Sequence, residues 1–288
     1  MNSRVEDLLG SSSSYTSMTD KEREYFIALL KEEMHKREES GKYEQIRDIV
    51  RIEEWINSDY YIGTDQKSIY PYWKDFIVDI FRDTRKDTEK INSVILSGSI
   101  GVGKSTVAEL IMMRKMYELS CFKNINAMFN LMSKTNIMFL YFSVSQKQAE
   151  RTGYGEFRSL VDSSPYFNEN FLRNQRLSSL LVFPEGINFA YGSSASDSIG
   201  MSVICSMLDE ANFLGGNGPS NDSEKATDLY ANIVNRSNSR FIVDGGVNHS
   251  LNILVSSATF ENSATERQIR LSRNDPHTIV AAPAQWER

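Results

Sequence analysis

Cysteine is nearly absent from this chain: two in 288 residues, Cys121 and Cys205, both inside apolar stretches. That excludes a disulfide scaffold as the source of stability and predicts buried free thiols in a reducing compartment. Histidine is almost as scarce, and His35, His249 and His277 have no spacing that would ligate zinc. No apolar run approaches the ~20 residues that a bilayer-crossing helix needs. The start, Met1-Asn2-Ser3-Arg4-Val5-Glu6-Asp7, is acidic and polar where a signal peptide is basic and then apolar. Neither a leader nor a membrane partner is expected. A basic excess is missing too. The formal charge of −6 argues against whole-surface affinity for nucleic acid and leaves room only for a local basic patch. With 40% hydrophobic and 24% charged residues, the chain can bury one large core or two smaller ones.

What the chain does have is a phosphate-binding loop. Gly98-Ser99-Ile100-Gly101-Val102-Gly103-Lys104-Ser105 fits the pattern G-x-x-x-x-G-K-[ST]. Val94-Ile95-Leu96 before it suits a buried strand, and Thr106 to Met116 after it suits an amphipathic helix. Glycines at 98, 101 and 103 let successive backbone N–H groups turn inward onto phosphate oxygens, and the helix start adds its positive dipole end. Lys104 would reach the β and γ phosphates, and the Ser105 hydroxyl would sit on Mg²⁺. The segment Gly98 to Thr106 is therefore the expected nucleotide site, with ATP and Mg²⁺ as its ligands. Tyr72 and Trp73, shortly upstream, are candidates for stacking on the base, with core packing as their alternative role.

Residues 1–18 are Ser-rich and poor in apolar anchors. At Thr19-Asp20-Lys21-Glu22 a capping box opens a helix carrying Phe26, Leu29, Leu30 and Met34, ended by Gly41. A second helix is expected from about Tyr43 to Ile56, through Ile46, Ile49, Val50 and Trp55. A proline turn at Pro71 leads into another. Strands are expected at Val94–Leu96, Asn136–Val144, Val203–Leu208, Ile253–Ser256 and Thr278–Ala282, and a hairpin at Leu180–Phe183 and Ile187–Tyr191 about Pro184-Glu185-Gly186. A helix should follow the second strand through Gln146, Ala149 and Arg151. Strands alternating with helices around a phosphate loop predict an α/β fold, a mostly parallel central sheet flanked by helices. A polar tail and N-terminal helices over 1–57 would precede a nucleotide domain over 58–288.

The strand Val203–Leu208 runs into Asp209-Glu210, the natural partner of such a loop. The strand tip can place Asp209 in the Mg²⁺ shell and Glu210 beside the attacking water as catalytic base. The extra strand between the two motifs resembles the RecA-like division of P-loop ATPases that carries a catalytic glutamate. A third element, Leu254-Val255-Ser256-Ser257-Ala258-Thr259, is a strand ending in small hydroxyl residues. It is similar to the Ser-Ala-Thr element that couples hydrolysis to movement in helicases and viral packaging motors. Asp209-Glu210-Ala211-Asn212-Phe213 also looks helicase-like, with Asn212 in place of the box's final acid.

Taken together, the chain resembles the N-terminal packaging ATPase domain of the tailed-bacteriophage terminase large subunit, over roughly residues 55–288. The resemblance rests on Tyr61-Ile62-Gly63 and Tyr70-Pro71, Gly98–Ser105, Ser143–Ala149, Ser163–Phe167, Gly200 before Asp209-Glu210, Asn235-Arg236 with Ser239-Arg240-Phe241, Ser256–Thr259, and Trp286-Glu287. It implies ATP hydrolysis coupled to translocation of double-stranded viral DNA into a preformed capsid in the host cytoplasm. Implied partners are the capsid portal, a small subunit, and further copies of the chain in a ring on the portal, the isolated chain being a monomer. It assigns Ser256, Ser257, Ala258 and Thr259 to sensing and transmitting loss of the γ-phosphate.

Two departures stand out. Such motors often carry an arginine in the loop or just before the glycine leading into the acidic strand, but here those places hold Ser99, Ile100 and Ile199. A catalytic arginine must come from elsewhere, with Arg151, Arg158, Arg236 and Arg240 as candidates. The family's nuclease domain is expected to be absent from this sequence: after residue 260 the acids are only Glu261, Glu266, Asp275 and Glu287, so no two-metal cleavage is expected. The rival readings are a helicase-like remodelling ATPase, which would need a second core domain, and an ATP-binding switch or assembly protein with little turnover.

Overall fold

The computed structural model describes residues 41–82, 89–177, 180–194, 200–213, 219–243, 246–258 and 263–284, with the side chains of 219–224 excepted. The chain divides into a unit Met1–Glu44 and a unit Gln45–Arg288. The expected helix from Thr19 lies outside the described residues except at its end, where Gly41 and Lys42 are helical. Ile199, Thr259 and Trp286-Glu287 also lie outside them.

The second unit is built on a seven-stranded sheet: β1 (Ser93–Leu96), β2 (Ile137–Phe142), β3 (Leu181–Val182), β4 (Ile187–Gly192), β5 (Ser202–Leu208), β6 (Leu251–Val255) and β7 (Thr278–Ala281). Their spatial order is β3-β4-β2-β5-β6-β1-β7. Every pairing is parallel except β3 with β4, where Leu181 faces Phe189 across the hairpin. A parallel strand buried on both faces reads as a continuous apolar run, which is why Ile137-Met-Phe-Leu-Tyr-Phe142 is legible as β2.

Alternation along each strand feeds two cores. Ile137, Phe139 and Tyr141 join Val94, Leu96, Ile253 and Val255 on one face, while Met138, Leu140 and Phe142 join Ile95, Val203 and Leu254 on the other. The helices that cover the first face include α1 (Ile52–Ile56), α2 (Pro71–Ile80) and α3 (Lys104–Ser120). Pro71 starts α2 at a position that needs no N–H, and Trp73, Ile77 and Ile80 form its buried stripe. Between β2 and α4 (Gly155–Ser163) the chain passes through a π-turn, Glu150–Tyr154. Its Gly153 packs against the Tyr141 ring so closely that a Cβ there would collide. The second face is covered by α5 (Pro219–Phe241), through Ala226, Leu229, Tyr230 and Ile233, and by α6 (Ala264–Leu271) through Ala264.

One element differs from expectation. Helix is confined to Ile52–Ile56, and residues 43–51 are not helical. Residues 45–47 instead lie against the end of α3: Gln45 bridges Phe122, and the Ile46 N–H donates to Cys121 O at 2.8 Å. Arg47 fixes this strap by donating to Ser120 O and Asn170 Oδ1. Ile49 and Val50 pack partly buried against the core while Ile46 is 51% exposed, so their helical spacing does not mark a helix face here.

Candidate active site

β1 delivers the chain to Ser97 and the loop at the carboxyl edge of the sheet, where β6 and β5, one and two places away, also end. Open parallel sheets bind ligands at such an edge. Gly98, Gly101 and Gly103 have φ of 101°, 76° and 85°, left-handed values that side chains resist, and Gly103 caps α3 in that conformation. The loop is anchored on three sides. The Ser99 N–H donates to Pro283 O at 3.3 Å, the Ala258 N–H donates to Gly98 O at 3.0 Å, and the Trp73 indole N–H donates to Val102 O at 2.6 Å. Ile100 stands out at the tip, 79% exposed.

Trp73, offered by the sequence as a base-stacking or a core-packing residue, lies against the loop, 1% exposed, with its N–H donating to Val102. Without it a buried carbonyl would lose its donor, at a cost of about 1–3 kcal/mol. Tyr72 is half-buried, its ring edge-on to Trp73 at 5.0 Å.

Lys104 opens α3, and its Nζ donates to Ser99 O at 2.6 Å and Gly98 O at 3.4 Å, so the ammonium already lies within the loop. Burial lowers its pKa, while Glu210 and Asp209 oppose that shift. Ser105 Oγ donates to both Asp209 oxygens at 3.2 and 3.3 Å. Asp209 also accepts a 2.7 Å bond from the Tyr141 hydroxyl on Oδ2 and the Glu210 N–H on Oδ1 at 3.0 Å. Burial raises the Asp209 pKa; the bonds from Tyr141, Glu210 and Ser105 and the charge of Lys104 hold it down. A hydroxyl and a carboxylate that close, both oxygen donors, fit a hard divalent cation such as Mg²⁺. Ser105 and Asp209 would hold it, and Tyr141 would fix the carboxylate.

Glu210 is half-buried and has φ of +53°, left-handed for a residue with a side chain. Burial first, and the Asp209 charge second, push its carboxyl above the usual range, with Lys104 opposing. A carboxylate raised toward neutrality suits proton abstraction from water.

The segment after Glu210 is pinned by Asn212, 3% exposed. Its backbone N–H donates to Ser256 Oγ at 3.1 Å and its Nδ2 to Ser257 O at 2.9 Å. Its Oδ1 accepts from the Thr265 N–H at 3.1 Å. Ser256 and Ser257 therefore join the acidic segment, and the adjoining Ala258 joins the loop through Gly98. The amide also explains the missing acid: a carboxylate would face Ser257 O with no proton to donate. Asn212→Asp is expected to cost about 1–3 kcal/mol, read as a lowered midpoint in urea denaturation; an unchanged midpoint would remove Asn212 as the link.

The four arginines scatter. Arg240 donates to Ser202 Oγ at 2.6 Å, and Ser202 begins the strand that ends beside Asp209, roughly 20 Å away at ~3.3 Å per strand residue. Arg236 lies one turn before it on α5. Neither can serve its own loop. Arg158 pairs with Asp162 at 3.6 Å on the surface of α4. Arg151, in the π-turn, is exposed and lines a cavity beside Gly103 and Thr106.

Sequence reasoning missed Tyr141, Asn212's partners and the brace under the loop. The available signal for Tyr141 was a tyrosine in an otherwise apolar buried strand, whose hydroxyl must find a partner.

A family model described as "Uncharacterized protein MJ0330, N-terminal P-loop domain" matches residues 22–288. No curated protein sequence matches the chain. Among solved structures, the fold is similar to the large terminase of bacteriophage HK97, with TM-score 0.53 and 18% identity over 81% of this chain and 43% of that one. The large terminase of the thermophilic bacteriophage D6E, solved in complex with ADP, is more distant, with TM-score 0.46 and 11% identity over 74% of this chain and 45% of that one. The chain spans less than half the length of either terminase. No helix among the described residues is long and apolar enough to cross a membrane.

Proposed function

This chain belongs to the family of the MJ0330 N-terminal P-loop domain, and from that membership and the site above we propose that it is the ATP-hydrolysing motor domain of a viral terminase large subunit. In this reading it drives double-stranded DNA into a preformed capsid, working as a ring of copies on the portal with a small subunit that selects the DNA. The observation that carries the proposal is a single hydrogen-bonded circuit. Ser105 meets Asp209, Glu210 follows it, Asn212 reaches Ser256 and Ser257, and Ala258 returns to Gly98 of the loop. A circuit of that kind lets a change at the phosphate position move a strand end and the helix α6 behind it, which a motor requires and simple nucleotide storage does not.

ATP and Mg²⁺ together supply the scissile phosphoanhydride and the charge that neutralises its oxygens. Lys104 binds the phosphate end, Ser105 and Asp209 orient the cation, Glu210 takes the proton from water, and Ser256 to Thr259 respond to phosphate loss. No arginine among the four candidates is placed to complete this site from within except Arg151. In this reading Arg236 and Arg240, the latter bonded to Ser202 at the far end of β5, would act on a neighbouring copy rather than on their own loop, which favours activity that depends on assembly.

Phosphate release by the chain should be weak alone and rise with protein concentration and with linear DNA and portal-bearing procapsids. Strand separation without packaging would transfer the reading to the helicase-like alternative, and tight ATP binding with no turnover under any condition would transfer it to the switch.

A further inference from the structure

The site above accounts for the triphosphate and leaves the nucleoside without a seat. Beside the loop lies a cavity of about 520 Å³, reaching from Gly103 and Thr106 between the start of α2 and the inner side of α4. The loop's amides cradle the phosphates nearest the nucleoside, so a base attached to them must leave the loop next to this cavity. Its lining includes the apolar Ile69, Tyr70 and Leu110, the buried Glu109, and the exposed Glu156 and Arg151.

Glu109 is the anomaly. It sits on α3 between Val107 and Leu110, 1% exposed, and its Oε1 is buried with no hydrogen-bond partner. Among the described residues it forms no ion pair. A buried carboxyl that no protein group satisfies costs stability unless a ligand completes it.

We propose that this cavity receives the nucleobase and that Glu109 reads its hydrogen-bonding edge, selecting adenine; the inference rests on the ATPase reading above. Burial, then the Glu156 and Asp209 charges, push the Glu109 carboxyl well above the usual range; in the protonated form that this favours, it would present one O–H donor beside one C=O acceptor. Adenine offers the complement, N1 as acceptor beside the N6–H donor. Guanine offers three adjacent groups, O6, N1–H and N2–H, and would leave one unpaired against the apolar lining. An ionised carboxylate would reverse the choice, since it pairs with guanine's two donors.

The test is equilibrium binding of the whole chain, with Mg²⁺, to ATP, GTP, purine riboside triphosphate (which lacks the 6-amino group) and inorganic tripolyphosphate. The unaltered chain is expected to favour ATP over both other nucleotides by about tenfold or more. Glu109→Leu should bind ATP only as well as purine riboside triphosphate, with tripolyphosphate affinity unchanged. Its melting temperature should be held or raised, because an unsatisfied buried acid is gone. Glu109→Gln retains one donor and one acceptor and should restore the preference. Equal binding of the three nucleotides, a preference for GTP, or an ATP preference that survives in Glu109→Leu would overturn the inference while tripolyphosphate binding upholds the loop. Failure of the unaltered chain to bind any of the four would overturn the ATPase reading, and this inference with it.

Discussion

Lys104→Ala is expected to weaken ATP binding by about 10²–10³-fold, the loss of one charge-assisted contact worth roughly 3–4 kcal/mol in a partly desolvated site. The ammonium is buried to 7% exposure and lies within the loop, on the Ser99 and Gly98 carbonyls. Among the described residues no other cation bonds within the loop: positions 99 and 100 are Ser and Ile, Arg240 is tied to the far end of β5, and Arg151 lines the cavity alongside. The loop should keep its shape in the variant, because its glycine conformations, the Trp73 bond to Val102 and the Ala258 bond to Gly98 do not involve the ammonium. The melting temperature without nucleotide should therefore hold while the stabilisation by added ATP disappears. Isothermal titration and thermal melts with and without ATP measure both quantities. An ATP-induced rise in melting temperature equal to that of the unaltered chain would remove Lys104 from the phosphate site.

The parts of the fold that were legible are those whose signal is local. β2 and β5 are apolar runs because both faces are covered, and the turn at Pro184–Gly186 separates two short runs that do pair antiparallel. Residues 43–51 were read as helix because Ile46, Ile49 and Val50 keep helical spacing; capture of the backbone N–H groups of Ile46 and Arg47 by Cys121 decided the matter. Helix α5 went unread, although Ala226, Leu229, Tyr230 and Ile233 keep helical spacing and Pro219 stands at its first position, because the intervening positions are polar.

The candidate site divides in the same way. Gly98 to Ser105 and Asp209-Glu210 are contiguous motifs that could be read directly. The roles of Tyr141, Trp73 and Asn212 depend on partners 68, 29 and 44 to 53 residues away, and no local pattern reports which hydroxyl or carbonyl a side chain will meet. Trp73 shows the cost of that. Its nearness to the loop in sequence suggested either a base platform or core packing, and gave no sign that the indole N–H would brace Val102 while the ring lines the cavity beside the loop.

Glu210→Gln is expected to leave ATP affinity within about twofold and to lower the rate of phosphate formation by about 10²–10⁴-fold, the usual contribution of a positioned general base. The substitution keeps the size of the side chain and removes only its basicity, so single-turnover measurements with protein in excess isolate the chemical step. The backbone supplies an independent check. A φ of +53° costs a residue with a Cβ roughly 1–2 kcal/mol, and here it is held by the Glu210 N–H bond to Asp209 and by Asn212 two residues on. Strain kept in place by surrounding bonds is the signature of a position retained for function. Glu210→Gly should therefore be as inactive as Glu210→Gln and yet at least as stable as the unaltered chain, because glycine relieves the left-handed strain. If Glu210→Gln turned over ATP at close to the parental rate, the carboxyl would not be the base. If Glu210→Gly also melted well below the parent, the strain would serve packing, and the site would have to find its base elsewhere.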